Sequence, residues 1–269
     1  MFKATAVALL FLAVTTCVHA QDWKLVWSDE FDKPGLPDPA KWDYEEGFVR
    51  NNEAQYYTRG RKENARVENG VLVIEGIKER FKNPKHNPQS TRSREYAEYT
   101  SASLHTLGKA GWTYGRVEVK AKLPLGKGTW PAIWMMGTNR PQVGWARCGE
   151  IDIMEYVGHT PGVIHANVHY HTDKKRSSGG KVNTPAKLEE FHIYAVEWSA
   201  DRMDFFFNDQ KYFSFPIDQA TVDGQNAFRK PQYLILNLAL GGDWGKEIDD
   251  TKLPHRYEID YVRVYQKQP

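Results

Sequence analysis

Short stretches in which apolar and polar residues alternate with a period of two recur along the chain. From Val117 to Lys122, and again from Ile164 to His171, every second residue is apolar and the residues between are polar or charged. Alternation of this kind is typical of strands with one face in a core and the other on a surface. Further strands are predicted at 72–77, 191–198, 203–207, 233–240 and 258–265. Because this pattern is far more frequent than a helical stripe, the sequence predicts an all-β protein.

Turn signals separate these strands. They comprise Asn69-Gly70, Asn208-Asp209 and the segments 124–128 and 177–180. Many short antiparallel strands in one chain of 269 residues favour a sandwich of two packed sheets. The polar, basic segment 78–99 lacks an apolar period and predicts a long exposed loop, which we interpret as a rim of a binding cleft.

The beginning of the chain predicts a secretory signal peptide over residues 1–20. Lys3 precedes an apolar run at 4–14, and the segment ends at Ala20. Cleavage after Ala20 leaves 21–269 as a single catalytic domain that is secreted or periplasmic. Lipoprotein processing before Cys17 is the alternative. No later stretch approaches the ~20 apolar residues of a membrane span, so we expect no membrane contact in the mature form.

The composition limits the class of partner. The 36 Lys and Arg residues against 34 Asp and Glu residues give a formal charge of only +2, so the basic surface of a nucleic-acid binder is missing. The 9 Trp and 14 Tyr residues supply flat apolar rings that suit stacking on sugars. We therefore expect a carbohydrate partner and no nucleic acid. We also expect a monomer.

One apolar strand carries three carboxyl groups. In a regular strand Glu150 and Asp152 share a face, whereas Glu155 points into the core, where an unpaired carboxylate is costly. One extra residue at Ile153 or Met154, accommodated as a β-bulge, returns Glu155 to the polar face. Three crowded acids repel one another, so at least one should keep its proton near neutral pH. One ionised and one protonated carboxyl group are what glycoside hydrolysis requires.

A divalent-cation site and a solvated acidic edge are alternative interpretations of these acids. The alternation of the acids with apolar residues indicates a central strand rather than an edge, and calcium sites usually gather ligands from a turn. The nearby His165, His169 and His171 share one strand face but are spread too far for one ion. We expect them to line the same groove as the acids.

Six sequence blocks carry a resemblance to a known family. They are YTSASLHT (99–106), YGRVEVKAKLP (114–124), WPAIWMMG (130–137), EIDIME (150–155), NLALGGDW (237–244) and EIDYVRVYQ (258–266). From about residue 23 to residue 266 the chain resembles glycoside hydrolase family 16, specifically its bacterial laminarinase-like β-1,3-glucanases. The resemblance implies a β-jelly-roll sandwich of two antiparallel sheets with a concave substrate cleft. It also implies an endo-β-1,3-glucanase that acts by double displacement, retains the anomeric configuration and needs no cofactor for catalysis.

The resemblance also assigns the acids. It implies that Glu150 is the nucleophile, that Glu155 is the general acid and then the base, and that Asp152 tunes both. The inserted Met154 favours laminarinases over licheninases, which commonly lack that residue. A hydrolase of mixed-linkage β-1,3-1,4-glucan or of a marine galactan is the first alternative. A catalytically silent glucan-binding protein is the second, although all three acids are present.

Five residues are predicted to contact substrate. The resemblance places Asn51, Trp112 and His169 near the sugar subsites. Trp130 and Trp134 have the same strand parity, so both can present indole rings on one surface, and we expect at least one to stack on sugar.

Two departures from the family pattern leave the linkage preference open. Val49 and Arg50 stand where the family often has Trp-Gly, and Ser103 stands where it often has Arg. For Asn237, which lies among leucines and isoleucines, a core amide and a sugar contact are equally compatible with the sequence.

The resemblance further implies a structural calcium ion on the convex side, away from catalysis. The ligands carried over are Glu30, Gly70 and Asp260, the first two through backbone carbonyl groups. An ordinary acidic surface is the alternative, because the spacing alone does not indicate a shared ion.

Overall fold

The computed structural model describes residues 23–90 and 93–268. The predicted signal peptide lies outside the described residues. In chain order the strands are β1 (Trp23–Asp29), β2 (Asp43–Tyr44), β3 (Gln55–Tyr57), β4 (Ala65–Glu68), β5 (Val71–Lys82), β6 (Tyr96–Ser101), β7 (Ser103–His105), β8 (Gly115–Lys122), β9 (Thr129–Gly137), β10 (Glu150–Glu155), β11 (Val163–His171), β12 (Lys175–Asn183), β13 (His192–Trp198), β14 (Arg202–Phe207), β15 (Gln210–Pro216), β16 (Thr221–Val222), β17 (Gln225–Asn226), β18 (Gln232–Leu240) and β19 (His255–Lys267).

Helices are few and short. There are two four-residue α-helices, α1 (Arg140–Val143) and α2 (Gly242–Gly245). Three 3₁₀ turns lie at Ile217–Ala220, Ala227–Arg229 and Asp250–Lys252. Within the described ranges, none of the helices has the length and apolarity to cross a lipid bilayer.

Two large sheets form the sandwich. The ten-stranded sheet has the order β15-β14-β13-β8-β19-β5-β6-β3, with β1 paired to β19 and β4 paired to β5. The seven-stranded sheet has the order β12-β11-β10-β9-β18-β7-β2. Pairing is antiparallel throughout, except for the parallel pair of β3 with β6. The all-β jelly-roll sandwich predicted from the sequence is confirmed.

The core lies between the two sheets. Ile133, Met135 and Ile151 of the seven-stranded sheet pack in one cluster with Val119 and Val262 of the ten-stranded sheet. Each such fully buried aliphatic side chain contributes about 1.5–3 kcal/mol relative to exposure. The strands β9 and β18 are buried at every position, and side chains on their other face form a second cluster with Cys148, which comprises Ala132, Trp134, Met136, Cys148, Tyr233 and Ile235.

Two sequence predictions about turns and loops are wrong. The segment 177–180 is not a turn but the middle of β12, and the loop predicted at 78–99 is shorter, because β5 continues to Lys82 and β6 begins at Tyr96. The glycines in β12 have a packing reason instead. A Cβ atom on Gly179 would overlap the side-chain oxygen of Asn167, and one on Gly180 would lie 2.7 Å from the Cβ atom of Phe213.

The segment after β10 is fixed against the loop that leads into β9. The backbone N–H of Gly158 donates to the carbonyl of Thr129 at 3.0 Å. A Cβ atom at Gly158 would overlap the carbonyl oxygen of Gly126. Because both partners are backbone groups, neither can move aside cheaply.

We predict that Gly158→Ala lowers the free energy of unfolding by more than ~2 kcal/mol, since the β10 and β9 ends must separate. The matched control is Gly224→Ala, which has φ +72° but no atom within 4 Å of the new Cβ. Only backbone strain of about 1–2 kcal/mol is expected there. Urea unfolding of both variants checks this, and equal losses would contradict the proposed close approach.

Candidate active site

A one-residue bulge interrupts β10. Against β11, Asp152 pairs with Asn167 and Glu155 pairs with His165, so three steps on β10 match two on β11. Against β9 the register shifts between Asp152 and Met154. The bulge predicted at Ile153 or Met154 is confirmed.

The bulge sorts the side chains of β10 between two environments. Ile153 and Met154 are both fully buried in the core between the sheets. Glu150, Asp152 and Glu155 line a cleft of about 290 Å³ on the other face of the seven-stranded sheet. Around the cleft stand Arg50, Asn51, Glu53, Trp130, Ala132, Trp134, Met136, Arg140, Trp145 and Asn237.

Glu150 is held by an indole and lies near a histidine. The Nε1–H group of Trp145 donates to Glu150 Oε2 at 2.9 Å. The Nε2 atom of His169 lies 3.8 Å from Glu150 Oε1 and 3.3 Å from Asp152 Oδ2. One ligand atom from each of Glu150, Asp152 and His169 lies within 4.8 Å of the other two, a spacing that could also hold a cation. His169 is thus beside the acids, as expected.

Glu155 accepts two hydrogen bonds from neutral donors. Trp130 donates through Nε1 to Oε1 at 3.0 Å, and Asn167 donates through Nδ2 to Oε2 at 3.2 Å. The two oxygens are therefore fixed by neighbouring strands on both sides of β10, and the carboxyl plane has little freedom to turn.

Burial raises the pKa of all three carboxyl groups. For Glu150, burial and then the negative charge of Asp152 raise the pKa to about 8, while His169 opposes the shift. Burial also raises the pKa of Asp152, and the charge of Glu155 adds to that shift. The pKa of Glu155 is raised by burial against the hydrogen bonds from Trp130 and Asn167. The cluster therefore keeps protons near neutral pH, as the crowding predicts.

Trp130 and Trp134 share the cleft face, in agreement with their parity, but both are largely covered. They are 9% and 6% exposed. Trp134 donates through Nε1 to the side-chain oxygen of Asn237 at 2.7 Å, and Asn237 donates to the hydroxyl of Tyr57 at 3.0 Å. Asn237 is thus a satisfied buried amide that also lines the cleft. The indoles orient polar groups here, and their stacking on sugar stays a prediction.

Asn51 lies at the edge of the cleft on a segment that loops over the sheet. Its carbonyl accepts a hydrogen bond from the backbone of Asp243 at 2.9 Å. Arg94 donates through Nη2 to the carbonyl of Glu53 at 2.7 Å and covers the ring of Phe48. The remaining loop between β5 and β6 therefore packs against the segment that lines the cleft, which favours its interpretation as a rim.

Trp112 does not lie in the cleft, so its expected place near the subsites is wrong. It is 8% exposed and belongs to the core cluster between the sheets. Its ring centroid is 5.3 Å from that of Trp27, and its backbone pairs with Gln232. The indole fills the space beneath β1, which is a packing role.

Sequence reasoning missed Trp145. The side chain is 44% exposed, lies 5.9 Å from the ring of His169 and contacts the ammonium group of Lys175. The available signal was an aromatic residue five positions before Glu150, in a segment without strand periodicity. Its position in the sequence does not reveal that its indole N–H group donates to the Glu150 carboxylate.

The predicted calcium ligands belong to the ten-stranded sheet, whereas the three acids lie on the seven-stranded sheet. These ligands are Glu30, Gly70 and Asp260. Glu30 directly follows β1, Gly70 lies in the turn from β4 to β5, and Asp260 is in β19, which pairs with both β1 and β5. The Glu30 carboxylate pairs with Arg263 at 2.8 Å, and that of Asp260 pairs with Lys120 at 2.6 Å.

Comparisons with known proteins agree with this geometry. A family model described as glycosyl hydrolases family 16 matches residues 52–263. The β-glucanase of Rhodothermus marinus is 46% identical over 260 residues, which are 91% of this chain and 86% of that protein. The laminarinase structure from Rhodothermus marinus superposes with a TM-score of 0.80 at 45% identity, covering 92% of this chain and 98% of that one.

Two further relatives differ in substrate. A mutant of SCLam, a protein described as a non-specific endo-β-1,3(4)-glucanase, was crystallised with a glucan oligosaccharide at its active site; that structure has a TM-score of 0.80 and 45% identity over 91% of this chain and 95% of that one. A keratan-sulfate endo-1,4-β-galactosidase of Sphingobacterium multivorum is 33% identical over 98% of this chain and 59% of that protein. The chain belongs to glycoside hydrolase family 16.

Proposed function

We propose that this protein is an endo-β-1,3-glucanase that hydrolyses laminarin-like glucan with retention of the anomeric configuration. This proposal rests mainly on the bulged strand β10, which presents Glu150, Asp152 and Glu155 together at the floor of a cleft. The laminarinase from Rhodothermus marinus, similar over nearly the whole described chain, supports β-1,3-glucan as the substrate.

In this mechanism Glu150 attacks the anomeric carbon while Glu155 gives its proton to the departing glycosidic oxygen. Glu155 then takes a proton from the water that attacks the same carbon, and this releases Glu150. Glu150 attacks in its ionised form, which Trp145 and His169 favour, although burial and the charge of Asp152 outweigh them and raise its pKa to about 8. Because the three acids interact, their protons belong to the cluster, and Asp152 helps to keep one proton available for Glu155.

Mixed-linkage β-1,3-1,4-glucan is the second candidate substrate. SCLam accepts both linkages by its description and is as similar in structure as the Rhodothermus enzyme. The three acids cleave the glycosidic bond but do not select the linkage of the neighbouring sugar. The preference for one linkage therefore depends on the other residues of the cleft.

The substrate panel laminarin, lichenan, agarose and carrageenan tests the proposal. We expect internal cleavage of laminarin, slower cleavage of lichenan, and no products from the galactans. Proton NMR of the first products should show the β-anomer before mutarotation. Preferential cleavage of a galactan would contradict the substrate, and an early α-anomer would contradict retention.

We predict that Glu150→Gln and Glu155→Gln each abolish hydrolysis without loss of stability at pH 8. In the folded state the pKa of Glu150 lies at about 8, above its usual 4.5, so folding stability falls as pH rises through that window. A neutral Gln removes this penalty. The melting temperature of Glu150→Gln should therefore exceed that of the wild type at pH 8 and match it near pH 4.

The matched control is Glu98→Gln on the exposed part of β6, which should leave activity and melting temperature unchanged. Thermal melts at both pH values and laminarin assays provide the measurement. Substantial turnover by either active-site variant would contradict the assigned roles.

We also propose that the protein is exported, with cleavage after Ala20, and that it binds a structural calcium ion. The strands β1 and β5 pair with the same edge of β19, one after the other, so the backbone of Glu30 and the turn at Gly70 come next to the β19 segment that holds Asp260. Two carbonyls and one carboxylate form the all-oxygen donor set that Ca²⁺ prefers. The ion would have to share the Asp260 carboxylate with Lys120.

Calcium removal should lower stability but leave the cleft intact. An ion held only by the folded state stabilises it by mass action, so EDTA should lower the melting temperature by about 5–10 °C if calcium was present near 100 times its Kd. Asp260→Asn should shrink this EDTA-dependent shift, whereas Asp209→Asn in the turn after β14 should not. No shift, together with no metal in elemental analysis, would remove the site.

A further inference from the structure

Arg50 occupies a position in the cleft that the catalytic mechanism does not use. Its guanidinium carbon lies 4.8 Å from the ring centroid of Trp134, so it covers one face of that indole. It pairs through Nη2 with Glu45, whereas its Nη1 atom has no hydrogen-bond partner among the described residues. An unpaired, buried N–H group beside a cleft is costly unless a ligand accepts its hydrogen bond.

Glu45 fixes the guanidinium. It is largely buried and accepts a second hydrogen bond, from the Ser103 hydroxyl at 2.6 Å. Burial pushes the pKa of Glu45 upward, but the charge of Arg50 and the bond from Ser103 outweigh burial and leave it below the usual range. Glu45 is therefore an ionised anchor. Of the three positions at which this chain departs from the family pattern, two, Arg50 and Ser103, contact this one carboxylate.

The pairing of the sheet gives the place of this group along the cleft. Glu155, Ala132, Asn237 and Ser103 lie opposite one another on the successive strands β10, β9, β18 and β7. Neighbouring strands are about 4.8 Å apart, so Ser103 lies roughly 14 Å from Glu155 across the sheet. Arg50 is joined to Ser103 through Glu45 and covers Trp134 on β9, so it lies on the β7 side of the acids.

We propose that Arg50 is a specificity-determining residue, which donates hydrogen bonds to the hydroxyl groups of a sugar ring on the β7 side of the acids, and that Glu45 is its positioning residue. The guanidinium covers Trp134, so a sugar here meets a fork of N–H donors instead of an open indole face. Because Glu45 already balances the charge, the geometry suits neutral pyranose hydroxyls. The identity of the sugar rests on the proposed function.

The test compares Arg50→Met, Arg50→Lys and Glu45→Gln with the wild type on laminarin. Loss of hydrogen bonds from a charged donor predicts a KM about tenfold higher or more for Arg50→Met, with kcat within about twofold. Arg50→Lys, which keeps one charged donor, should lie between. Glu45→Gln should raise KM in the same direction, because the guanidinium loses its anchor.

The matched control is Arg59→Met, which removes an arginine paired with Asp43 outside the cleft lining and should keep the wild-type KM. If Arg50→Met leaves Glu45 unpaired and fails to fold, the double variant Arg50→Met with Glu45→Gln, which removes both charges, is tested in its place. A folded Arg50 variant with wild-type KM would overturn the proposal.

Calorimetry with glucan and galactan oligosaccharides separates this proposal from the proposed function. Glu150→Gln, with and without Arg50→Met, is titrated with laminarin, mixed-linkage and agarose oligosaccharides. If the wild type cleaves a galactan in preference to laminarin, the proposed substrate fails, and the proposal for Arg50 is decided by binding of the glycan that is cleaved. Equal affinity of the two variants for that glycan overturns it.

Discussion

Three carboxyl groups that repel one another are forced onto one face of β10, and a single extra residue makes this possible. Without the bulge, the side chain of Glu155 would face the core, where Ile153 and Met154 now pack. The bulge thus satisfies two demands at once, because it keeps apolar side chains in the core and gathers the acids in the cleft. The hydrogen bonds that Glu155 accepts from Trp130 and Asn167, and its contribution to the raised pKa of Asp152, follow from that one irregularity.

The surrounding strands compensate for the repulsion by supplying neutral donors. Trp130 on β9 and Asn167 on β11 hold Glu155 from both sides, and Trp145 holds Glu150. Neutral N–H groups orient carboxyl oxygens without removing the raised pKa that a cation would abolish. An arginine in place of Asn167 would lower the pKa of Glu155 and deprive it of its proton. The site is therefore built from indoles and amides on rigid strands.

The sequence predicts the parts of this structure that depend on periodicity. Alternation located β8 and β11, and parity alone required the bulge in β10. Prediction from the sequence failed where one residue type can serve either of two structural roles. The glycines of β12 indicate a turn by composition, but they make room for Asn167 and Phe213. The family resemblance places Trp112 near the subsites, yet its indole packs beneath β1, because burial depends on contacts between segments distant in sequence. Trp145 had no periodic signal at all.

The catalytic acids and the residues that we propose to recognise the sugar lie on two different kinds of segment. Glu150, Asp152 and Glu155 are fixed by strand pairing on both sides, so a change near them alters register, pKa and core together. Glu45 directly follows the edge strand β2, and the guanidinium of Arg50 is held by side-chain contacts with Glu45 and Trp134. Side-chain contacts can be exchanged without moving the backbone of β10. Related proteins can therefore share one bulged acid strand and still differ in the glycan that they cleave.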